Sequence, residues 1–225
     1  MNKSKVRFPY GFRYIYTPDK KTTCPVQKRT LNGKVWESNI NKLLISLCDK
    51  NKYSIDIGAN IGVHSISMRE HSKGLIAIEP QQEIFNCLEK TMNNSYVDEL
   101  YLFNDLLSNK IEEVIFYQDN TGRSRIPIEG EKYKTKHWNK IIKETKVLDD
   151  LFDYGSMNIG LIKLDVEGHE FKVLEGCVKI ISTYRPKILI EVFDKNVDDL
   201  YKWSNINDYS IQSISKVGDF LLLPN

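Results

Sequence analysis

Tyr53-Ser54-Ile55-Asp56-Ile57-Gly58-Ala59-Asn60-Ile61-Gly62 is an apolar run that breaks into a glycine-rich turn, and VHSISMREH (63–71) follows it with apolar residues at helical spacing. A run without strict alternation suits a strand buried on both faces. The same unit recurs on either side. GLIAIE (74–79), LYLFN (100–104), IGLIKLD (159–165) and KILIEVF (187–193) read as further buried strands. QEIFNCLEKTMNN (82–94), EFKVLEGCVKIISTY (170–184) and NVDDLYKWSN (196–205) read as amphipathic helices between or after them. Strand and helix in alternation predict an α/β domain with a mostly parallel, doubly wound sheet, whose ligands bind where the strands end. DYSIQSISKVGDFLLLP (208–224) predicts two strands turning at Val217-Gly218-Asp219, an antiparallel hairpin that closes the sheet.

The glycines of the turn fall where the backbone must reverse and can come close to a ligand. A purely structural turn would use the same residues, so the second strand carries weight. It ends in Glu79, about twenty positions on, where a carboxylate can accept hydrogen bonds from both hydroxyls of a ribose. Asp56 at the end of the first strand disfavours a pyrophosphate and suits a cationic ligand such as S-adenosylmethionine.

Around this core, KVWESNINKLLISLCDK (34–50) reads as a helix with Ser38 as N-cap, and IEEVIFYQ (111–118) as an additional strand. Residues 1–35 read as an N-terminal extension to a domain spanning 36–225. Asp119 to Lys146 is a polar insertion too long for an ordinary connection. A formal net charge of +2 over 225 residues does not point to a polyanionic partner. No apolar run is long enough for a signal peptide or a membrane span, so a cytoplasmic protein is expected. Cys24, Cys48, Cys87 and Cys177 show no metal-ligand spacing and read as reduced core residues.

DIGANIG, AIEP, NDLLS, TKVLDDLF through IKLDVEGHEFKVLEG, and RPKILIEVF occur in that order over roughly residues 36–193. Together they resemble the FkbM family of class I methyltransferases. The resemblance is most specific at Lys163-Leu164-Asp165-Val166-Glu167-Gly168-His169-Glu170. It implies a Rossmann-like fold, S-adenosylmethionine as methyl donor, and O-methylation of a sugar, polyketide or other small metabolite. By the same resemblance Asp56, Gly58, Asn60 and Gly62 would line the methionine part of the cofactor. Glu79 would hold the ribose, and Asp105 with Leu106 the adenine edge. Residues 121–146 match nothing in the family pattern.

Asp165, Glu167, His169 and Glu170 crowd the end of the fourth strand, where methyl transfer needs groups that orient a hydroxyl and take its proton. Asp165 is expected to orient donor and acceptor, and to belong to the cofactor site as well. His169 and Glu167 are the further catalytic candidates. Glu167 could equally cap the next helix, Glu170 favour its N-terminus, and His169 be an exposed helix residue. Lys163 interrupts the same strand and needs a carboxylate partner or an outlet to solvent. Glu191 could join Asp165 and Glu167 in a carboxylate cluster that holds sugar hydroxyls or favours protonated His169. No metal is assigned, because no ligand spacing is diagnostic. The cations Arg123, Arg125, Lys132, Lys134, Lys136, Lys140, Lys143 and Lys146, with Tyr133, His137 and Trp138, could bind RNA, although a solvated helix face diluted by Glu129, Glu131 and Glu144 is the more economical reading. An RNA ribose methyltransferase is therefore the alternative enzyme, and a non-catalytic binding module the alternative of another class.

Overall fold

The computed structural model describes residues 1–18, 24–93, 99–119, 123–127, 138–151, 153–155, 157–216 and 218–225. The chain opens with an antiparallel ribbon, β1 (Asn2–Phe8) and β2 (Gly11–Thr17), followed by α1 (Pro25–Leu31) and α2 (Ser38–Leu47). The first Rossmann-like half is β3 (Tyr53–Ile57), α3 (Val63–His71), β4 (Gly74–Ile78), α4 (Gln82–Met92) and β5 (Leu100–Phe103). Three short strands come next: β6 (Leu106–Leu107), β7 (Glu113–Gln118) and β8 (Asn139–Lys146). The second half is β9 (Ile159–Leu164), α5 (Glu170–Glu175), α6 (Val178–Tyr184), β10 (Lys187–Glu191), α7 (Val197–Asn207), β11 (Tyr209–Ser213) and β12 (Asp219–Pro224).

Seven strands form the central sheet in the order β11-β12-β10-β9-β3-β4-β5. β10, β9, β3, β4 and β5 are parallel to their neighbours, while β12 runs antiparallel to both β10 and β11. From β3 the chain winds outward through β4 to β5, and from β9 it winds the other way to β10. The order thus reverses between β3 and β9, which opens a crevice beyond their carboxyl ends.

Burial on both faces explains why these strands read as apolar runs. Along β4, Ile76 and Ile78 join a cluster with Leu174 of α5, Ile180 of α6 and Leu200 of α7. Leu75 and Ala77 face the other way, towards Leu44 of α2, Ile66 of α3 and Leu88 of α4. Each face therefore has its own helical layer, and Val6, Phe8 and Ile15 of the ribbon extend the second core.

Two local expectations are corrected. Ser38 is the first residue of α2, and Glu37 takes the N-cap position in a left-handed conformation, φ 43°. The described end of the insertion, Asn139–Lys146, is a strand, so the helix-face reading fails for Lys140, Lys143 and Lys146. It pairs antiparallel with β7 and parallel with β6, making a separate three-stranded sheet. Residues 123–127 fold back on β7, where Tyr117 and Arg125 exchange backbone hydrogen bonds of 2.9 and 3.0 Å. Glu129, Glu131, Lys132, Tyr133, Lys134, Lys136, His137 and Val217, named above, lie outside the described residues.

Candidate active site

The turn after β3 and the end of β9 are in direct contact. Asp165 donates its backbone N–H to the Ile57 carbonyl at 3.1 Å. Gly58 has φ 81°, and a Cβ on it would sit 1.8 Å from the Asp165 carbonyl oxygen, so glycine is required twice over. Asn60 follows with φ 52° and donates its backbone N–H to Glu79 Oε2 at 3.0 Å. The other Glu79 oxygen accepts from the Gln81 backbone at 2.8 Å. Glu79 thus ties the ends of β3 and β4 together. Burial pushes its pKa up to about 7 against those two hydrogen bonds.

Gly58, Asn60, Glu79, Asp105, Leu106, Asp165, Glu167 and His169 all line one cavity of about 960 Å³, its open mouth included. It lies at the carboxyl ends of β3, β4 and β9. Asp56 and Gly62 stand behind its wall. Asp56 is fully buried, accepts from Ser65 Oγ at 2.5 Å and lies 3.8 Å from Lys163 Nζ. A Cβ on Gly62 would meet Leu88 Cδ1 at 2.9 Å, so this glycine lets α4 close on the turn.

The turn from Asp165 to His169 is held by its own backbone. Glu170 Oε1 accepts from Gly168 N at 2.8 Å and Val166 N at 3.3 Å, and Glu167 is left-handed at φ 58°. A non-glycine residue there is strained, and such strain persists where the surroundings enforce it. Part of that enforcement is the ion pair between Glu167 Oε2 and Arg125 at 2.6 Å. Burial, then the charge of Asp165, pushes Glu167 up to about 7 despite Arg125. Lys163 is buried, and Asp165 at 3.3 Å and Asp56 at 3.8 Å supply its counter-charge. Burial alone would lower its pKa, but these carboxylates with Glu37 and Glu191 hold it raised. Glu191 is pushed up by burial and by Asp165, but it is not among the residues that line the cavity.

His169 behaves differently from the protonated residue considered above. Burial, then nearby Lys172, lowers it to about 4, so its ring is neutral near pH 7. Its Nε2 lies 2.9 Å from Ser108 Oγ. Among the described residues, no group of three His, Cys, Asp or Glu side chains could hold a metal ion.

The remaining walls come from residues to which no part in the cofactor or catalytic site was assigned from sequence. Val26 of α1, Trp36 and His64 of α3 line the cavity, as do Gln81, Phe116, Ser124 and Arg125. His64 sits between Asn41 Nδ2 at 3.0 Å and Glu37 Oε2 at 3.1 Å. Ser124 donates to Gln81 Oε1 at 2.7 Å, seating the 123–127 segment over the end of β4. Its sequence signal was the pair Arg123 and Arg125, for which a solvated helix face was preferred to contacts with a polyanion. Arg125 instead pairs with Glu167, and Lys143 donates to the carbonyls of Pro80 and Asn104.

Residues 56–211 match the model of the methyltransferase FkbM domain. The chain belongs to the FkbM methyltransferase family. Its fold is similar to an FkbM methyltransferase from Methylobacillus flagellatus KT, with TM-score 0.54 and 18% identity over 77% of this chain and 44% of that one. This FkbM chain therefore spans less than half the length of that protein. It also resembles precorrin-6y C5,15-methyltransferase from Geobacter metallireducens GS-15, with TM-score 0.52 and 10% identity over 92% and 91% of the two chains. A putative methyltransferase from Streptococcus mutans, solved in complex with SAH, gives TM-score 0.51 and 12% identity over 82% and 93%. No functionally curated protein sequence matches it.

Proposed function

We propose that this FkbM domain transfers the methyl group of S-adenosylmethionine to a hydroxyl oxygen of a sugar, glycan or small metabolite. The observation that supports it most is the convergence of the Gly58–Asn60 turn, Glu79 and the Asp165–His169 turn on one cavity at the switch point between β3 and β9. The residues suit the cofactor. Glu79 offers a carboxylate to a ribose diol, and Asp105 stands beside apolar Ile84, Leu106, Leu107 and Phe116, a setting for a flat base with a polar edge. Gly58 and Asn60 flank the methionine end. Asp165, in the same lining, would offer a negative charge to the sulfonium, with Asp56 and Gly62 shaping the turn from behind. When bound, the cofactor supplies an electrophilic methyl group.

On the chain's side, Asp165 and Glu167 would orient the acceptor, and neutral His169 would take the hydroxyl proton as the oxygen displaces the thioether sulfur from the methyl carbon. Positioning in such a site supplies the larger part of the acceleration, and the proton acceptor about 10² to 10⁴. No helix among the described residues is long and apolar enough to cross a membrane.

The test is turnover with labelled methyl donor on separate pools of glycans, small metabolites and RNA. On the acceptor so found, His169→Ala should lower kcat by about a hundredfold to ten-thousandfold with donor affinity nearly intact. Full turnover in the variant, with chemistry rate-limiting, would return the proton to water or to a carboxylate.

A further inference from the structure

The outward face of the β1–β2 ribbon has a composition that the cavity does not explain. In register, Lys3 faces Tyr16, Lys5 faces Tyr14 and Arg7 faces Phe12. All three cations are exposed, Phe12 is 52% and Tyr14 43% exposed, while Val6, Phe8 and Ile15 turn inward to the core. Residues 1–18 contain no Asp or Glu. Arg13, on the inner side, is already paired with Glu70 of α3. The described ion pairs include none of the outward cations. Instead Lys3 Nζ lies 4.2 Å from the Tyr14 ring centroid, and Lys5 Nζ 4.6 Å from that of Phe12.

We infer that this face binds an extended single strand of nucleic acid, its phosphates along Lys3, Lys5 and Arg7 and its bases on Phe12, Tyr14 and Tyr16. The arrangement is two parallel rows, one cationic and one aromatic, about 5 Å apart. Within a row the groups repeat about every 7 Å, as same-face residues of a strand do. A polymer with charge along one edge and flat rings along the other fits two such rows. An anionic glycan carries charge and ring on the same unit and has no reason to separate them. A bilayer needs a wholly apolar row to insert, whereas two of the three rings here, Tyr14 and Tyr16, carry a phenol hydroxyl. The rows also lead towards the cavity: Arg7 bridges to Lys34, and its backbone N–H donates to the Gly33 carbonyl at 3.2 Å, in the same segment as Trp36.

The full chain is titrated against a labelled oligouridine of about a dozen nucleotides, long enough to cover one site, by fluorescence anisotropy at increasing salt. Binding should weaken with a log–log slope of about −2, from three phosphates at about 0.7 each. Lys3→Gln/Lys5→Gln/Arg7→Gln should bring that slope close to zero, and Lys3→Arg/Lys5→Arg should keep it. Phe12→Ala/Tyr14→Ala should weaken binding at least about fivefold, for one lost stacking contact or more. Circular dichroism and unchanged binding of S-adenosylhomocysteine check that each variant is folded. The proposal fails if no salt-dependent binding appears, or if the Gln and Ala variants bind like the wild type. It fails equally if polygalacturonate or phosphatidylserine vesicles are held through the same residues as tightly as the oligonucleotide.

Discussion

Glu79 shows how one side chain serves both fold and site. Its two oxygens hold the backbone of Asn60 and Gln81, so the carboxylate is fixed in the cavity wall before any ligand arrives. A charged acceptor for two ribose hydroxyls is worth about 1.5 to 3 kcal/mol, so Glu79→Ala should weaken binding of S-adenosylhomocysteine about tenfold to hundredfold in calorimetric titration. Unchanged affinity would take Glu79 out of the cofactor site. Glu170 sits deeper and leads to a different measurement. It is 2% exposed, its Oε2 has no hydrogen-bond partner among the described residues, and burial pushes its pKa from 4.5 up to about 7. The folded state therefore binds this proton more tightly than the unfolded one. The group's favourable contribution is fully present below about pH 4.5 and is lost as pH rises to about 7. Glu170→Gln keeps an oxygen for Val166 N and Gly168 N and removes that loss, at most about 3 kcal/mol. Urea unfolding at pH 5 and pH 8 should show a smaller drop in the variant than in the wild type. Equal drops would mean that Glu170 titrates normally.

Between elements, the Arg125–Glu167 pair joins the insertion to the strained turn after β9. With side chains only 10% and 25% exposed, the two charges are poorly screened. A double-mutant cycle with Arg125→Gln and Glu167→Gln should give a coupling of about 1 to 3 kcal/mol in urea unfolding, and a coupling near zero would make the contact incidental. The strand ends of the parallel sheet were readable because burial on both faces forces unbroken apolar runs, and Asp56, Glu79 and Asp165 stand out where those runs stop. β8 was not readable. Asn139–Lys146 exposes Lys140, Ile142 and Glu144 on one face, and its partner β7 lies beyond a long segment, so no local pattern announces the pairing. The same reason hides Trp36, His64 and Arg125: each reaches the cavity through tertiary packing, and periodicity carries no record of that. Lys163 is the intermediate case. Its need for a counter-charge followed from its place in a buried strand, but the identities of Asp165 and Asp56 as partners came from the register of β9 on β3.

For the molecule as a whole, the question is whether residues 1–35 are an appendage or part of the cooperative unit. Their sequence alternates charged and apolar residues around Pro9-Tyr10, which reads as a terminal arm when nothing shows what the apolar side covers. In the folded chain, fully buried Ile15 belongs to the same cluster as Ala59, Ile66 and Leu88, and Val6 and Phe8 join it. Tyr10 OH lies 2.8 Å from Ser67 Oγ, and Tyr16 donates its backbone N–H to Thr91 Oγ1 at 3.1 Å, so the ribbon clamps both α3 and α4. Those helices carry the backs of the glycine turn and of the cofactor wall. Ile15→Ala should therefore destabilise the whole domain by about 2 to 5 kcal/mol, the cost of emptying a packed core site. Its urea transition should stay single, with tryptophan fluorescence and far-ultraviolet circular dichroism moving together to a lower midpoint. An appendage would behave otherwise: the main transition would keep its midpoint while a small early phase reported the ribbon alone. That outcome would detach residues 1–35 from the domain, and the walls supplied by Val26 and its neighbours would then be ordered after the core instead of with it.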